Sequence, residues 1–381
     1  MDAPGESEAR RESRAIAAAW ACFAAGVVLG LIALAGPPRP IAGEESVALA
    51  GAGIAALVAA MAFAVSTALH RRGETAPMPR WQAVVARIST VAITIALAAV
   101  AYLGVLTAGE VLALGLQGLE APVIGGALLT GVASAAAGWL AFQAGVELRT
   151  GDLATLLFSF LTIGTVFAMI TAADPRWWER HFSDLGSAWA FNVTVVVAGL
   201  LVATIGSYIG RDLHRWLGDP ALRRIAAVVA LFAATGLVLA CVGLFPVQRA
   251  PVLHSIAAFG TLGLFGITMA VVTIVMPGPP RALLLTTIGA AAALVVAVLL
   301  WVPLAVYSAA GLEAIAVGIL FVWLTTLVRT LAAHAPRESR PSLAPSPLGS
   351  AARASRAGRA SPAGRSGADS TSVTPPGKVE S

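Results

Sequence analysis

Charged side chains are scarce in this sequence. Asp, Glu, Lys and Arg make up only 12% of its 381 residues, whereas 58% are hydrophobic. A soluble globular chain of this size does not need so much apolar surface. The alternating apolar and polar pattern of barrel strands is also absent. The composition therefore excludes a soluble domain and predicts an integral membrane protein.

Cysteine and histidine are scarce too. The two cysteines, Cys22 and Cys241, both lie in apolar runs, so they indicate neither a disulfide framework nor a metal site. The sequence has five histidines and lacks the HExxH, GxSxG and HxxxD patterns. No glycine-rich loop has the strand and lysine context that phosphate binding requires. The sequence consequently assigns no catalytic residue and no metal ligand, and leaves any cofactor unknown.

Long apolar runs are abundant. A helix needs roughly 20 apolar residues to cross the hydrocarbon core of a membrane. Ten runs meet this requirement, at about 15–36, 47–69, 88–108, 122–145, 153–173, 188–210, 225–246, 255–276, 282–303 and 312–333. Each should be helical because lipid offers no partner for free backbone groups. The predicted fold class is an all-α, polytopic transmembrane helix bundle.

The positive charges are distributed unevenly between the two sides of this ten-span arrangement. With the N-terminus inside, the 25 Lys and Arg residues fall on the cytoplasmic side, except for Arg39, Arg176, Arg180 and Arg249. Such an excess of inside positive charge sets the orientation of membrane proteins. The sequence predicts a multi-pass protein of a bacterial-type cytoplasmic (plasma) membrane, with both termini cytoplasmic.

The chain divides into four predicted regions. They are a cytoplasmic polar lead (1–14), an N-terminal four-span unit (15–150), a six-span membrane domain (151–334) and a basic Ser/Pro/Arg tail (335–381). The tail has no aromatic residue and is predicted to be disordered, lying near anionic inner-leaflet lipid. Membrane lipids are the expected partners, and nucleic acid is not expected. Small-residue pairs suit close helix packing and leave a homo-oligomer open.

One connection between spans concentrates charge. The stretch DPRWWERHFSDLG (174–186) carries six ionisable side chains. Asp174 suits an N-cap and Pro175 the first helical position, and Gly186 would end the helix. An apolar stripe follows helical spacing at Trp178, His181, Phe182 and Leu185. We expect a short amphipathic interfacial helix over 175–185, lying on the outer membrane surface.

Polar residues near this helix suggest a site. On the predicted outer side the only histidines are His181 and His254, and Asn192 lies about one turn inside the sixth span. A buried amide needs a partner. We predict a polar outer pocket that consists of His181, Ser183, Asp184, Asn192 and His254. Ser183 could be a nucleophile only if a histidine reaches it.

Several short motifs resemble a known family. SDLGSAWAFN (183–192), GLL (199–201), GLFP (243–246) and HSIAAFG (254–260) resemble the bacterial Domain of Unknown Function 998 family, over about 153–333. That family is a six-span membrane domain, distantly similar to Frag/DRAM/Sfk-type proteins. The resemblance implies a lipid-related role by analogy alone. The family's motif positions correspond to Ser183, Leu185, Gly186, Asn192, Gly243, Pro246 and His254.

Three functions are consistent with the sequence. The first is a non-enzymatic, lipid- or partner-binding helical bundle with a polar outer-face site. An alternative is an enzyme acting on a lipid or lipid-linked substrate at the outer surface, with His254 or His181 as base or metal ligand. A second alternative is a transporter of an apolar substrate. The middle of every span lacks the ionisable residues that ion-coupled carriers place there, which disfavours an ion-coupled carrier.

Overall fold

A computed structural model describes residues 4–71, 80–187, 189–276 and 278–334. The predicted C-terminal tail (335–381) lies outside these described residues, as does most of the connection between the second and third spans. The described residues form ten long helices, two β-strands of two residues each and three short 3-10 helices.

Each predicted span is confirmed by a helix that is long and apolar enough to cross a membrane. In chain order they are α1 (Pro4–Ala33), α2 (Val47–Arg71), α3 (Arg80–Gly115), α4 (Val123–Val146), α5 (Thr150–Ile170), α6 (Trp189–Leu217), α7 (Leu222–Leu244), α8 (Pro251–Val275), α9 (Arg281–Trp301) and α10 (Ala309–His334). Hydrocarbon leaves backbone groups no partner outside the helix, which is why these apolar runs are helical throughout. The chain is a multi-pass membrane protein.

The connections alternate between the two ends of the bundle because consecutive spanning helices run in opposite directions. One end, called here the loop end, holds the connections that follow α1, α3, α5, α7 and α9. The strands β1 (Arg39–Pro40) and β2 (Glu120–Ala121) pair antiparallel there and join the first two of these connections. The longest of the loop-end connections that lie between α5 and α10 is 171–188, which contains the charged stretch.

Glycines allow α6 and α7 to approach until their backbones touch. A Cβ added to Gly199 would collide with the carbonyl oxygen of Gly236, and one added to Gly236 would collide with that of Gly199. The pair Gly26 and Gly30 similarly contacts α4 at Ser134 and Ala127. Such contacts replace the hydrophobic driving force that lipid removes. The GxxxG pair of α1 is thus used within the chain.

Helix α3 connects the first four helices to the last six. It packs on α2 and also on α5 and α6. The hydroxyls of Ser89 and Ser207 are 3.1 Å apart between α3 and α6. Nearer the loop end, the rings of Tyr102 and Trp189 meet edge to face at 5.9 Å. Buried side chains from both units form one hydrophobic cluster.

Polar side chains tie together the last three helices. Trp323 of α10 is fully buried and donates its indole N–H to Thr287 of α9 at 2.9 Å. The hydroxyl of Thr287 in turn lies 3.0 Å from that of Thr273 of α8. Hydrogen bonds of this kind add to van der Waals packing between membrane helices.

The α6–α7 contact can be tested with one methyl group. We expect Gly199→Ala to destabilise the protein by about 1–3 kcal/mol, because the new Cβ meets backbone that cannot rotate away. Thermal unfolding in detergent would measure the change. Gly263→Ala of α8 is the matched control, since open space surrounds that position. Equal unfolding temperatures for the two variants would show that the close contact does not stabilise the bundle.

Candidate functional site

The charged stretch is helical in two short 3-10 segments, Trp177–Glu179 and Phe182–Ser187, and not in the single helix predicted over 175–185. The break falls at Arg180 and His181. The predicted N-cap at Asp174 is wrong, because Arg176 is the residue that precedes the first segment and no side chain caps that segment. Oδ1 of Asp174 accepts the backbone N–H of Arg176 at 2.9 Å in the turn before it.

The start of α10 explains why the helix is interrupted. The backbone N–H of Ala310 donates to the carbonyl of Arg180 at 2.9 Å, and the hydroxyl of Ser308 donates to the carbonyl of Trp178 at 2.7 Å. The backbone N–H of Phe182 donates to Oε2 of Glu313 at 2.7 Å. Backbone groups that would bond along a continuous helix are instead satisfied across the bundle.

The predicted apolar stripe is partly wrong. Leu185 is buried as expected, but Trp178 is 56% exposed and points away from the core. Its neighbour Trp177 packs inward, with its ring 5.0 Å from that of Phe182. A 3-10 helix has three residues per turn, so a stripe spaced for 3.6 residues is not maintained through two such segments.

Ion pairs hold the exposed face of this connection. Arg180 lies between two carboxylates, 2.8 Å from Asp174 and 2.6 Å from Asp184. Arg180 and Asp184 are four residues apart in the sequence. Nδ1 of His181 lies 3.6 Å from Asp184 as well. Exposed pairs of this kind contribute little to stability, so their main effect is to order the side chains.

Ser183 and His254 meet in the structure. The hydroxyl oxygen of Ser183 is 2.7 Å from Nε2 of His254, and both residues are nearly buried, at 8% and 6% exposure. Nδ1 of His254 faces the carbonyl oxygens of Phe245 at 2.9 Å and Val242 at 3.1 Å. Carbonyls only accept, so the proton sits on Nδ1 and Nε2 accepts the hydroxyl of Ser183.

The end of α7 is the reason for this orientation. The last carbonyls of a helix have no partner within it. Val242 belongs to the last turn of α7 and Phe245 follows it directly. His254, in the first turn of α8, reaches back across the short connection and donates to both carbonyls. The imidazole thus caps α7 with one nitrogen and binds Ser183 with the other.

Asn192 supports the site without joining the Ser183–His254 pair. Its side-chain amide donates to the carbonyl of Gly186 at 2.8 Å. A Cβ at Gly243 would collide with the backbone carbonyl of Asn192, so α6 and α7 touch here as well. The amide of Gln248 donates to the carbonyl of Ser183 at 3.2 Å. These contacts hold the connection against the ends of α6 and α7.

The predicted pocket is therefore split into two groups. Ser183 and His254 form one group, while His181 and Asp184 lie on the adjacent, more exposed side with Arg180. Glu313 was not among the predicted pocket residues, yet it binds the connection and interacts electrostatically with His181, His254 and Asp184. The sequence did hold one indication of this role. Glu313 is a lone carboxylate in the second turn of a span, at the same end of the bundle as a connection rich in histidine and arginine.

Metal ligation is not indicated by this arrangement. Among the described residues, no three His, Cys, Asp or Glu side chains are close enough together to hold one ion. His254 uses both of its ring nitrogens in hydrogen bonds to the protein. The chemistry available is that of a hydroxyl and an imidazole beside a carboxylate.

Fold and site define the class: a polytopic α-helical membrane protein with a polar cluster at one end of its last six spans. Residues 153–330 match the model of a family described as "Protein of unknown function (DUF998)". The match covers slightly less than half of the chain and confirms the resemblance over the last six spans. No curated protein and no solved structure matches the chain.

The motif positions that carried the resemblance lie together in space. Ser183 contacts His254, Gly186 contacts Asn192, and Asn192 contacts Gly243. The carbonyl of Pro246 accepts the N–H of Ala250 at 2.9 Å and so shapes the connection that leads to α8. Motifs separated by some 70 residues thus describe a single cluster at the loop end.

Glu313 provides a test of this cluster. We expect Glu313→Ala to lower the free energy of unfolding by about 1.5–3 kcal/mol, because the N–H of Phe182 loses a charged acceptor in a part-buried position. Glu313→Gln, which retains an acceptor oxygen, should recover most of that loss. Thermal unfolding in detergent would measure both variants. An alanine variant as stable as the parent would show that the connection is held without Glu313.

Proposed function

We propose that the loop end faces outward and binds the headgroup region of a membrane lipid. The observation that carries the proposal is the clamping of the 171–188 connection by α8 and α10, which fixes its exposed aromatic and cationic side chains. Trp178 and Trp189 are both more than half exposed at this end of the bundle. Tryptophans at such positions mark the membrane–water interface.

Arginines stand beside these tryptophans. Arg176 is exposed, and among the described residues its side chain has no ion-pair partner. Arg180 is paired with carboxylates but remains 60% exposed. A guanidinium held at interface height matches the phosphate of a phospholipid, because it donates two parallel hydrogen bonds to such oxyanions. A phosphate-bearing lipid headgroup is therefore the ligand we propose.

The outward orientation rests on the distribution of Arg and Lys between the two ends of the bundle. It can be tested with single cysteines in a chain whose Cys22 and Cys241 are replaced by alanine. A membrane-impermeant maleimide applied to intact cells should label Glu44→Cys, which is exposed at the loop end. Arg223→Cys, exposed at the opposite end, should be labelled after permeabilisation only. The reverse pattern would place the loop end inside.

Lipid binding can be tested at Arg176. We expect Arg176→Gln to weaken binding of dioctanoyl-phosphatidylglycerol about fivefold, corresponding to roughly 1 kcal/mol for one basic side chain near a phosphate. A native mass spectrometry titration of the detergent-solubilised protein would measure the change. Arg39→Gln, at the same end but in β1, is the matched control. Equal affinities for both variants and the parent would contradict a headgroup site at the connection.

A further inference from the structure

The contact between Ser183 and His254 meets the geometric requirement for an activated nucleophile. A serine hydroxyl becomes nucleophilic when a base within about 2.6–3.2 Å can take its proton. The two atoms are 2.7 Å apart, and Nε2 of His254 carries the free lone pair because Nδ1–H donates elsewhere. The condition that the sequence set for Ser183, a histidine within reach, is met.

A third group orients the histidine. In hydrolases with a serine, a histidine and an aspartate, the aspartate holds the imidazole in the correct tautomer. Here the carbonyls of Val242 and Phe245 perform that task, since both accept from Nδ1. They belong to the end of a spanning helix, so the imidazole is positioned by a rigid element.

A carboxyl group, that of Glu313, is also fixed beside this connection. When His254 accepts a proton it becomes a cation, and a nearby carboxylate stabilises that cation. Glu313 interacts electrostatically with His254 and is fixed by its bond to the backbone of Phe182. His254 of α8 thus contacts Ser183 directly, while Glu313 of α10 binds the backbone of the residue before it.

The depth of the pair indicates the class of substrate. His254 is the fourth residue of α8, so it lies about 5 Å along the helix from its end, at 1.5 Å per residue. In the orientation proposed above, Trp178 and Trp189 lie at the membrane–water interface, and the pair lies close beneath them. The ester groups of a glycerolipid lie between its headgroup and its acyl chains, at a similar level. The carbonyl of such an ester is the electrophile that the pair would meet.

We propose that Ser183 and His254 are a nucleophile and general base that cleave a carboxylic ester of a membrane lipid. The choice of substrate rests on the proposed lipid-binding function, whereas the pairing of the two residues does not. Leu185 and Val242 belong to a buried hydrophobic cluster, and Ser183 and His254 are themselves 8% and 6% exposed.

The reaction has two balanced steps. Oγ of Ser183 attacks the ester carbonyl as its proton passes to Nε2 of His254, the ester C–O bond breaks, and the leaving alcohol takes that proton. The product is an acyl ester on Ser183. Water then attacks this ester while His254 accepts one of its protons, which returns to Oγ as the fatty acid leaves. No oxidant, metal or further reactant is required.

The test is covalent labelling of the full chain in phosphatidylglycerol nanodiscs with a fluorophosphonate. Intact mass spectrometry should show one adduct, and peptide mapping should place it on Ser183. His254→Gln, whose amide can still bond to Ser183 but is not a base, should slow labelling by about 10²- to 10⁴-fold. Ser255→Ala, at an exposed serine beside His254, should label at the rate of the parent.

Each outcome decides between the proposals. No adduct, an adduct at another residue, or equal rates for His254→Gln and the parent would overturn the nucleophile–base pair. The reagent has no lipid headgroup, so a labelled protein that fails to bind dioctanoyl-phosphatidylglycerol would overturn the lipid-binding proposal alone. Fatty acid released from the nanodisc lipid by the parent, but not by His254→Gln, is the result expected for a lipid ester. Labelling without such release would overturn that substrate class.

Discussion

Every backbone carbonyl and amide within the spans needs a partner that hydrocarbon cannot provide, and the rest of the described structure depends on that constraint. Within the spans, the helices satisfy it. At the ends of the helices side chains must do so, and His254 satisfies it for the last turn of α7. The imidazole is held in one orientation for this reason, and its second nitrogen faces Ser183 as a consequence.

The same constraint accounts for the shape of the 171–188 connection. Its backbone does not form a continuous helix because Ser308, Ala310 and Glu313, at the start of α10, are its hydrogen-bond partners. These hydrogen bonds fix the connection between α8 and α10. Its Leu185 is buried on the side that faces the core, and its Trp178 is exposed on the other side. Its charged residues are concentrated on the surface that faces away from the core, where Arg180 is shared between Asp174 and Asp184.

Sequence reasoning succeeded where a pattern is local. Apolar length predicted all ten helices. Sequence reasoning failed at the interfacial helix, because the α-helical period cannot reveal that α10 competes for the backbone. The predicted pocket included both Ser183 and His254, but their direct contact was stated only as a condition, since 71 residues separate the two. Glu313 was not predicted to belong to the pocket, because a carboxylate near a helix end can equally well reach solvent.

The position of α3 has a consequence for how the protein is made. Its contacts with α6, at Ser89 and Tyr102, involve residues that the ribosome adds about a hundred positions later. Chains are synthesised from the N-terminus at about 5–20 residues per second. For several seconds the face of α3 that will contact α6 therefore has no partner in the nascent protein, because α6 has not yet been synthesised. Membrane insertion of the first four helices and completion of their packing are separate events in time.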